Sequence, residues 1–174
     1  RSIPVLKITE LQFNKNASVE NGVTSPLPSW VTTNNAYEIS NFGNGSIDLT
    51  GYSFVYYSGN NVALSTSPTK TYNFPAGYIL EANQSVVLIP VNANAVTAEG
   101  VLGISSGTVG ADKKTGYLLK DAAGTVIDAV AVNGANFAAG HNVPASVWQG
   151  SSDNLTLTNT AGIVRTSATG SSQA

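Results

Sequence analysis

Four carboxylates stand inside strand-like apolar surroundings: Glu10, Glu38, Asp48 and Asp128. Brought together they could supply oxygen ligands to Ca²⁺, a hard cation that takes about six to eight of them. The chain carries neither the EF-hand spacing nor an Asp-x-Asp pair. The favoured reading is therefore that these side chains accept backbone N–H bonds at strand ends and turns. Carboxylates roughly 5–9.5 Å apart would also suit glycoside hydrolysis, but no spacing here singles out a pair. His141 is the only histidine. A Ser-His-Asp arrangement would have to use it, and zinc would need more nitrogen and sulfur ligands than it can offer. In its Gly-Asn loop it reads as an ordinary surface residue. No catalytic residue, metal site or cofactor is expected. For binding, the candidates are the aromatic side chains of Trp30, Tyr56, Tyr57, Tyr78 and Trp148, whose rings could stack on a sugar or a base. Trp30 has the competing role of pinning its own loop to the body.

Composition narrows the partners. The 174 residues are enough for one well-cored domain. Charged residues are only 10% of the chain, while Ser, Thr, Asn, Gly and evenly spread β-branched and aromatic residues dominate, which is the composition of a sheet protein. A net charge of −2 gives no basic footprint for nucleic acid, and Lys113-Lys114, the one adjacent basic pair, reads as a solvated loop tip. A protein or polysaccharide partner is favoured over nucleic acid, and a monomer is expected. Cysteine is absent, which excludes disulfides and thiolate metal sites. No apolar run approaches the roughly 18–20 residues of a membrane span. The chain begins Arg1-Ser2-Ile3-Pro4 and has no methionine, consistent with a removed signal peptide and an extracellular or cell-surface location. Four Asn-x-Ser/Thr sites, at Asn16, Asn44, Asn83 and Asn154, are what chance provides in such a composition.

The elements that must position these residues are short strands. Val5 to Leu11 alternates as a half-buried strand, and residues 14–33, with Pro26 and Pro28, read as a long loop. Tyr37–Phe42 and Tyr52–Tyr57 are the next strands, the second central because aromatics occupy both faces. Val62–Leu64 and Thr69–Phe74 read as arms of a ragged hairpin. Ser85–Pro90 reads as a strand buried on both faces and ended by its proline. Ala93–Glu99 has the composition for one or two helical turns. Residues 116–120 and 125–132 form the clearest hairpin, with Asp121 opening a type I turn and Gly124 supplying positive φ for the bulge that follows. Leu155–Thr158 and Gly162–Thr166 close the body, leaving 167–174 as a flexible polar tail. About eight or nine strands and at most one short helix predict an all-β, immunoglobulin-like sandwich with Greek-key connections over residues 1–166.

Several segments resemble one family in order. Ile8-Thr9-Glu10-Leu11 resembles its leading strand, and Tyr37-Glu38-Ile39 with Asn41 resembles its apolar-Glu-apolar-x-Asn strand. Ile47-Asp48-Leu49-Thr50-Gly51-Tyr52 resembles its apolar-Asp-Leu-Ser-Gly-aromatic segment, and Tyr72-Asn73-Phe74-Pro75-Ala76-Gly77 its Phe-Pro-x-Gly turn. Asp121 to Asp128 resembles its Asp-x-x-Gly-x-x-apolar-Asp hairpin, and Ile163-Val164-Arg165 its closing strand. The family is the lamin-tail domain family, in its bacterial extracellular type. Ala36 replaces a common aromatic, the segments 91–112 and 133–162 are longer than usual, and the polar repeat expected after Arg165 is missing.

The resemblance implies a structural set of Glu10, Glu38, Asn41, Asp48, Gly51, Asp121, Gly124 and Asp128. It also implies a non-catalytic extracellular or cell-surface interaction module. The alternative is an accessory domain that positions a secreted hydrolase, such as a nuclease or phosphatase, on its substrate.

Overall fold

The computed structural model describes residues 5–13, 18–20, 23–25, 35–59, 61–91, 100–105, 114–148 and 162–165. In chain order the strands are β1 (Leu6–Phe13), β2 (Ser18–Glu20), β3 (Val23–Ser25), β4 (Asn35–Asn41), β5 (Ile47–Asp48), β6 (Ser53–Gly59) and β7 (Lys70–Asn73). They continue as β8 (Ile79–Leu80), β9 (Ser85–Val91), β10 (Val101–Ser105), β11 (Lys114–Lys120), β12 (Val126–Val132) and β13 (Gly162–Val164). A five-stranded sheet runs β10-β9-β4-β1-β13 and a four-stranded sheet runs β12-β11-β6-β7; β2-β3 and β5-β8 are short pairs. The chain passes repeatedly between the two large sheets, as the expected all-β sandwich requires. Among the described residues no helix is long and apolar enough to cross a membrane, and the helical content is one 3₁₀ turn, Ala139–His141.

Period-two alternation builds the core. Leu6, Ile8, Leu11, Tyr37, Ile39, Val86 and Leu88 face inward from the five-stranded sheet, while Phe54, Tyr56, Tyr117, Leu119, Val130 and Val132 face them from the four-stranded one. Tyr37 bridges the layers, with its ring centroid 5.4 Å from Phe54 and 5.6 Å from Tyr117. Offset and tilted aromatic contacts of this kind add to the burial itself.

The four-stranded sheet is covered on its other face too. Val55, Tyr57, Leu118, Val126, Ala129 and Ala131 meet Leu64, Ala135, Val147 and Trp148, with Phe137 and Val143 packed against them. Residues 135–148 thus form a strap over the outside of the sandwich. A parallel bridge between Ala63 and Asn136 ties the strap to the 61–69 crossing, through Leu64 N–H to the Asn136 carbonyl at 2.9 Å and Asn136 N–H to the Val62 carbonyl at 2.7 Å. Val62–Leu64 is therefore not a hairpin arm, because its partner is the strap.

Gly116 lets the strap lie flat. A Cβ there would stand 2.4 Å from Leu64 Cδ1 and 2.8 Å from Phe137 Cε1. Gly116→Val is expected to cost roughly 1–3 kcal/mol through overpacking, read as a lower urea midpoint. Gly116→Val with Leu64→Ala should recover part of the loss. An unchanged midpoint in the single variant would contradict this packing.

Other departures from the sequence reading have local causes. Within 14–33, β2 and β3 pair antiparallel, Ser18 opposite Ser25; Asn21-Gly22 between them is a hairpin signal that the surrounding Asn, Gly and Pro obscured. Pro90 does not end β9. Val87 N–H bonds the Gly100 carbonyl on the β10 side, so by alternation Pro90's missing donor faces β4, whose ladder already stops at Leu88. β10 was not foreseen; it pairs parallel with β9, and Gly103 in its middle weakens its strand propensity. The expected helical turns at Ala93–Glu99, the Leu155–Thr158 segment and the 167–174 tail lie outside the described residues.

Candidate functional site

The buried polar centre is Asp128 on β12. Its side chain is fully buried and paired with Arg165, whose side chain is 8% exposed. Arg165 Nη2 donates to Asp128 Oδ1 at 3.0 Å and Oδ2 at 2.9 Å. Among the described residues β13 pairs with β1 over Glu10–Gln12, and no described strand covers the preceding edge of β1. Asp128 and Arg165 fill that gap. Ile8 N–H donates to Asp128 Oδ2 at 2.7 Å, Arg165 Nε donates to the Ile8 carbonyl at 2.9 Å, and Arg165 N–H donates to the Thr9 carbonyl at 2.8 Å. An ion pair thus replaces a ladder partner at the corner of the sandwich. Lys7 Nζ stands 4.0 Å from Asp128 Oδ1.

Glu10 and Glu38 sit opposite each other where β1 bulges at Thr9. The Thr9 hydroxyl donates to Glu38 Oε1 at 2.7 Å and contacts Ser40 Oγ at 2.8 Å, and Ser40 meets Ser85 Oγ at 2.6 Å. A carboxylate only accepts, so Glu38 terminates this hydroxyl chain across three strands.

The remaining polar residues hold turns. Asn41 is fully buried. Its Nδ2 donates to the carbonyls of Gly45, Leu80 and Glu81 at 2.8, 3.2 and 3.3 Å, while its Oδ1 accepts Gly43 N–H at 2.9 Å. Asp48 Oδ1 accepts the Thr50 hydroxyl at 2.6 Å and N–H at 2.9 Å, and those two bonds hold its carboxyl below the ordinary range. The same Thr50 hydroxyl oxygen accepts Gly77 N–H at 2.7 Å. Asp121 Oδ1 accepts Ala123 N–H at 3.0 Å and Thr125 N–H at 2.9 Å. Gly51 and Gly124 take φ +80° and +82°, as their turns require. Among the described residues no three His, Asp or Glu side chains gather as a metal group.

The aromatic candidates divide differently from the sequence reading. Tyr56, Tyr57 and Trp148 are 4%, 3% and 5% exposed, so none presents a ring face for stacking. Tyr56 points into the inter-sheet core, while Tyr57 and Trp148 lie beneath or within the strap. Period-two patterning cannot tell a solvated outer face from one covered by a later segment. Tyr78 is half-buried against the core, and Trp30 lies outside the described residues.

Burial opposes the ionisation of these phenols and pushes their pKa up. The Tyr117 hydroxyl is held well above the ordinary tyrosine value by burial and by neighbouring Tyr37, against a lowering bond from Thr115. Above about pH 10 an unfolded chain releases the Tyr117 proton that the folded chain keeps, so stability falls as pH rises through that window. Urea midpoints at pH 8 and pH 11 should therefore differ. Tyr117→Phe should reduce the difference, and an unaltered alkaline slope in that variant would contradict the assignment.

His141 is buried, not an ordinary surface residue. Its Nδ1 accepts Ala138 N–H at 3.0 Å, and its Nε2 faces the Ser65 carbonyl at 3.0 Å. Tyr57 meets the ring edge-on with centroids 4.7 Å apart. One Gly-x-Ser-x-Gly spacing does occur, at Gly103-Ile104-Ser105-Ser106-Gly107. Gly103 to Ser105 lie in edge strand β10 of the five-stranded sheet, whereas His141 lies on the outer face of the four-stranded one. Both layers of the sandwich separate them, and a nucleophile elbow needs its histidine within hydrogen-bond reach.

Beside His141 an open cleft of about 400 Å³ runs between the strap and the β11–β12 turn. Tyr57, Thr66, Pro68, Lys120, Thr125 and Asn142 are among its lining residues. Sequence reasoning missed it because three segments distant in the chain build it. The polar density of Thr66, Thr125 and Asn142 was the only signal.

A family model for the lamin tail domain matches residues 2–134. No curated protein matches the chain. The family match ends at Gly134, one residue before the strap begins to cover the sheet.

Proposed function

This chain belongs to the lamin tail domain family, and we propose that it acts as a non-catalytic interaction module in an extracellular or cell-surface setting. One observation carries the reading. The family's polar residues are committed to the fold: Asn41, Asp48 and Asp121 fasten turns, and Asp128 fastens a strand edge. These side chains hold a rigid sandwich, and the ligand-sized concavity is built beside a strap lying past the family match. Loops carried on a rigid scaffold are where binding is usually placed. An extracellular domain of this size can do without disulfides, because its core is large enough to carry its stability.

The test is a binding panel of cell-surface polysaccharides, single- and double-stranded DNA, and Ca²⁺, with salt dependence recorded for each hit. A saturable polysaccharide hit supports the module. A salt-sensitive DNA hit would move the reading to an accessory domain of a secreted nuclease. Fractionation of the producing cells, with surface proteolysis, tests the location; a wholly internal, protease-shielded protein would contradict it.

A further inference from the structure

The cleft beside the strap has a chemistry of its own. No Asp or Glu is among its lining residues, and Lys120 is their one permanent charge. The nearest acid in sequence, Asp121, has Oδ1 committed to the N–H groups of Ala123 and Thr125. Thr66, Thr125 and Asn142 are exposed at the rim with two hydroxyls and a carboxamide, groups that both donate and accept. Pro68 and Ala123, both exposed, give it an apolar wall. A concavity of about 400 Å³ falls within the roughly 300–1,000 Å³ of small-ligand sites.

Each part answers a feature of one ligand class. Hydroxyls and an amide match the dense hydroxyls of a sugar, an apolar wall suits the C–H face of its ring, and an ammonium is a point charge for a carboxylate. A neutral sugar would leave Lys120 unused, and a basic ligand would be repelled. We propose that the cleft binds one acidic sugar residue of a uronate-containing polysaccharide, with its carboxylate on Lys120. This rests on the module reading above and gives that module its ligand.

The experiment titrates the full chain with a tetragalacturonate and with an uncharged galactose tetramer at low salt, followed by calorimetry. The uronate is expected to bind about tenfold or more tightly than the neutral tetramer, and to weaken as salt rises. Lys120→Gln, which keeps the apolar stem, should lower uronate affinity about tenfold with the melting temperature unchanged. Equal binding of the two tetramers, or uronate binding indifferent to Lys120→Gln, would overturn the assignment. If neither tetramer binds while the wider panel returns another ligand, the cleft assignment fails and the module reading stands. Silence across both removes both.

Discussion

Asp128→Ala is expected to be the most damaging single substitution among the polar residues. It leaves the Arg165 guanidinium buried without its carboxylate and Ile8 N–H without an acceptor. Breaking a buried pair from one side costs about 3–5 kcal/mol, because the surviving charge is stranded. Arg165→Met in the same chain removes that charge, so the double variant should lose clearly less than the sum of the single losses. Equilibrium urea unfolding of the four proteins measures the cycle. A single variant within about 0.5 kcal/mol of the parent would mean that the ion pair does not close the β1 edge.

Asn41 carries the second large effect. One carboxamide serves the chain at Gly43 and Gly45 and, through Leu80 and Glu81, a second turn nearly forty residues on. Asn41→Ala removes the partner of those backbone groups, at about 1–3 kcal/mol for each one left buried and unsatisfied. A total near 3 kcal/mol is expected, because water reaches the partly exposed carbonyls at Gly45 and Glu81. Asn41→Asp should do no better, since a carboxylate cannot donate to the three carbonyls that Nδ2 now serves. Hydrogen exchange distinguishes this from global loosening: amides around 41–45 and 80–84 should open first. Full stability in Asn41→Asp would show that the donor is dispensable.

These two sites also mark what the sequence could and could not reveal. Asp121 and Gly124 announced their turn because a type I turn with a bulge needs those residue types in that order. Tyr37-Glu38-Ile39 announced an inward aromatic and aliphatic pair by simple alternation. Asp128 was readable as a hydrogen-bond acceptor, but its partners Ile8 and Arg165 lie at opposite ends of the chain, and no local pattern joins them.

The outer face of the four-stranded sheet was the harder case. Val55, Tyr57 and Leu118 look the same in sequence whether water or a strap lies above them. Only Gly116 hints at the strap, through the side chain it lacks. The same blindness made Tyr57 and Trp148 appear as ligand platforms, when the structure uses them as packing. The cleft then arises where the strap's 3₁₀ turn fails to meet the β11–β12 turn, a relation between segments that alternation along one strand does not encode.

We propose that the family's polar residues hold a scaffold while the chain captures a ligand without transforming it. The most direct measurement incubates the purified chain with the polysaccharide panel and analyses both the bound fraction and the recovered glycans by mass spectrometry. A retained acidic glycan recovered at its original length is the expected result. Shortened glycans, appearing with chain concentration and abolished by His141→Ala in a variant that still folds, would contradict it.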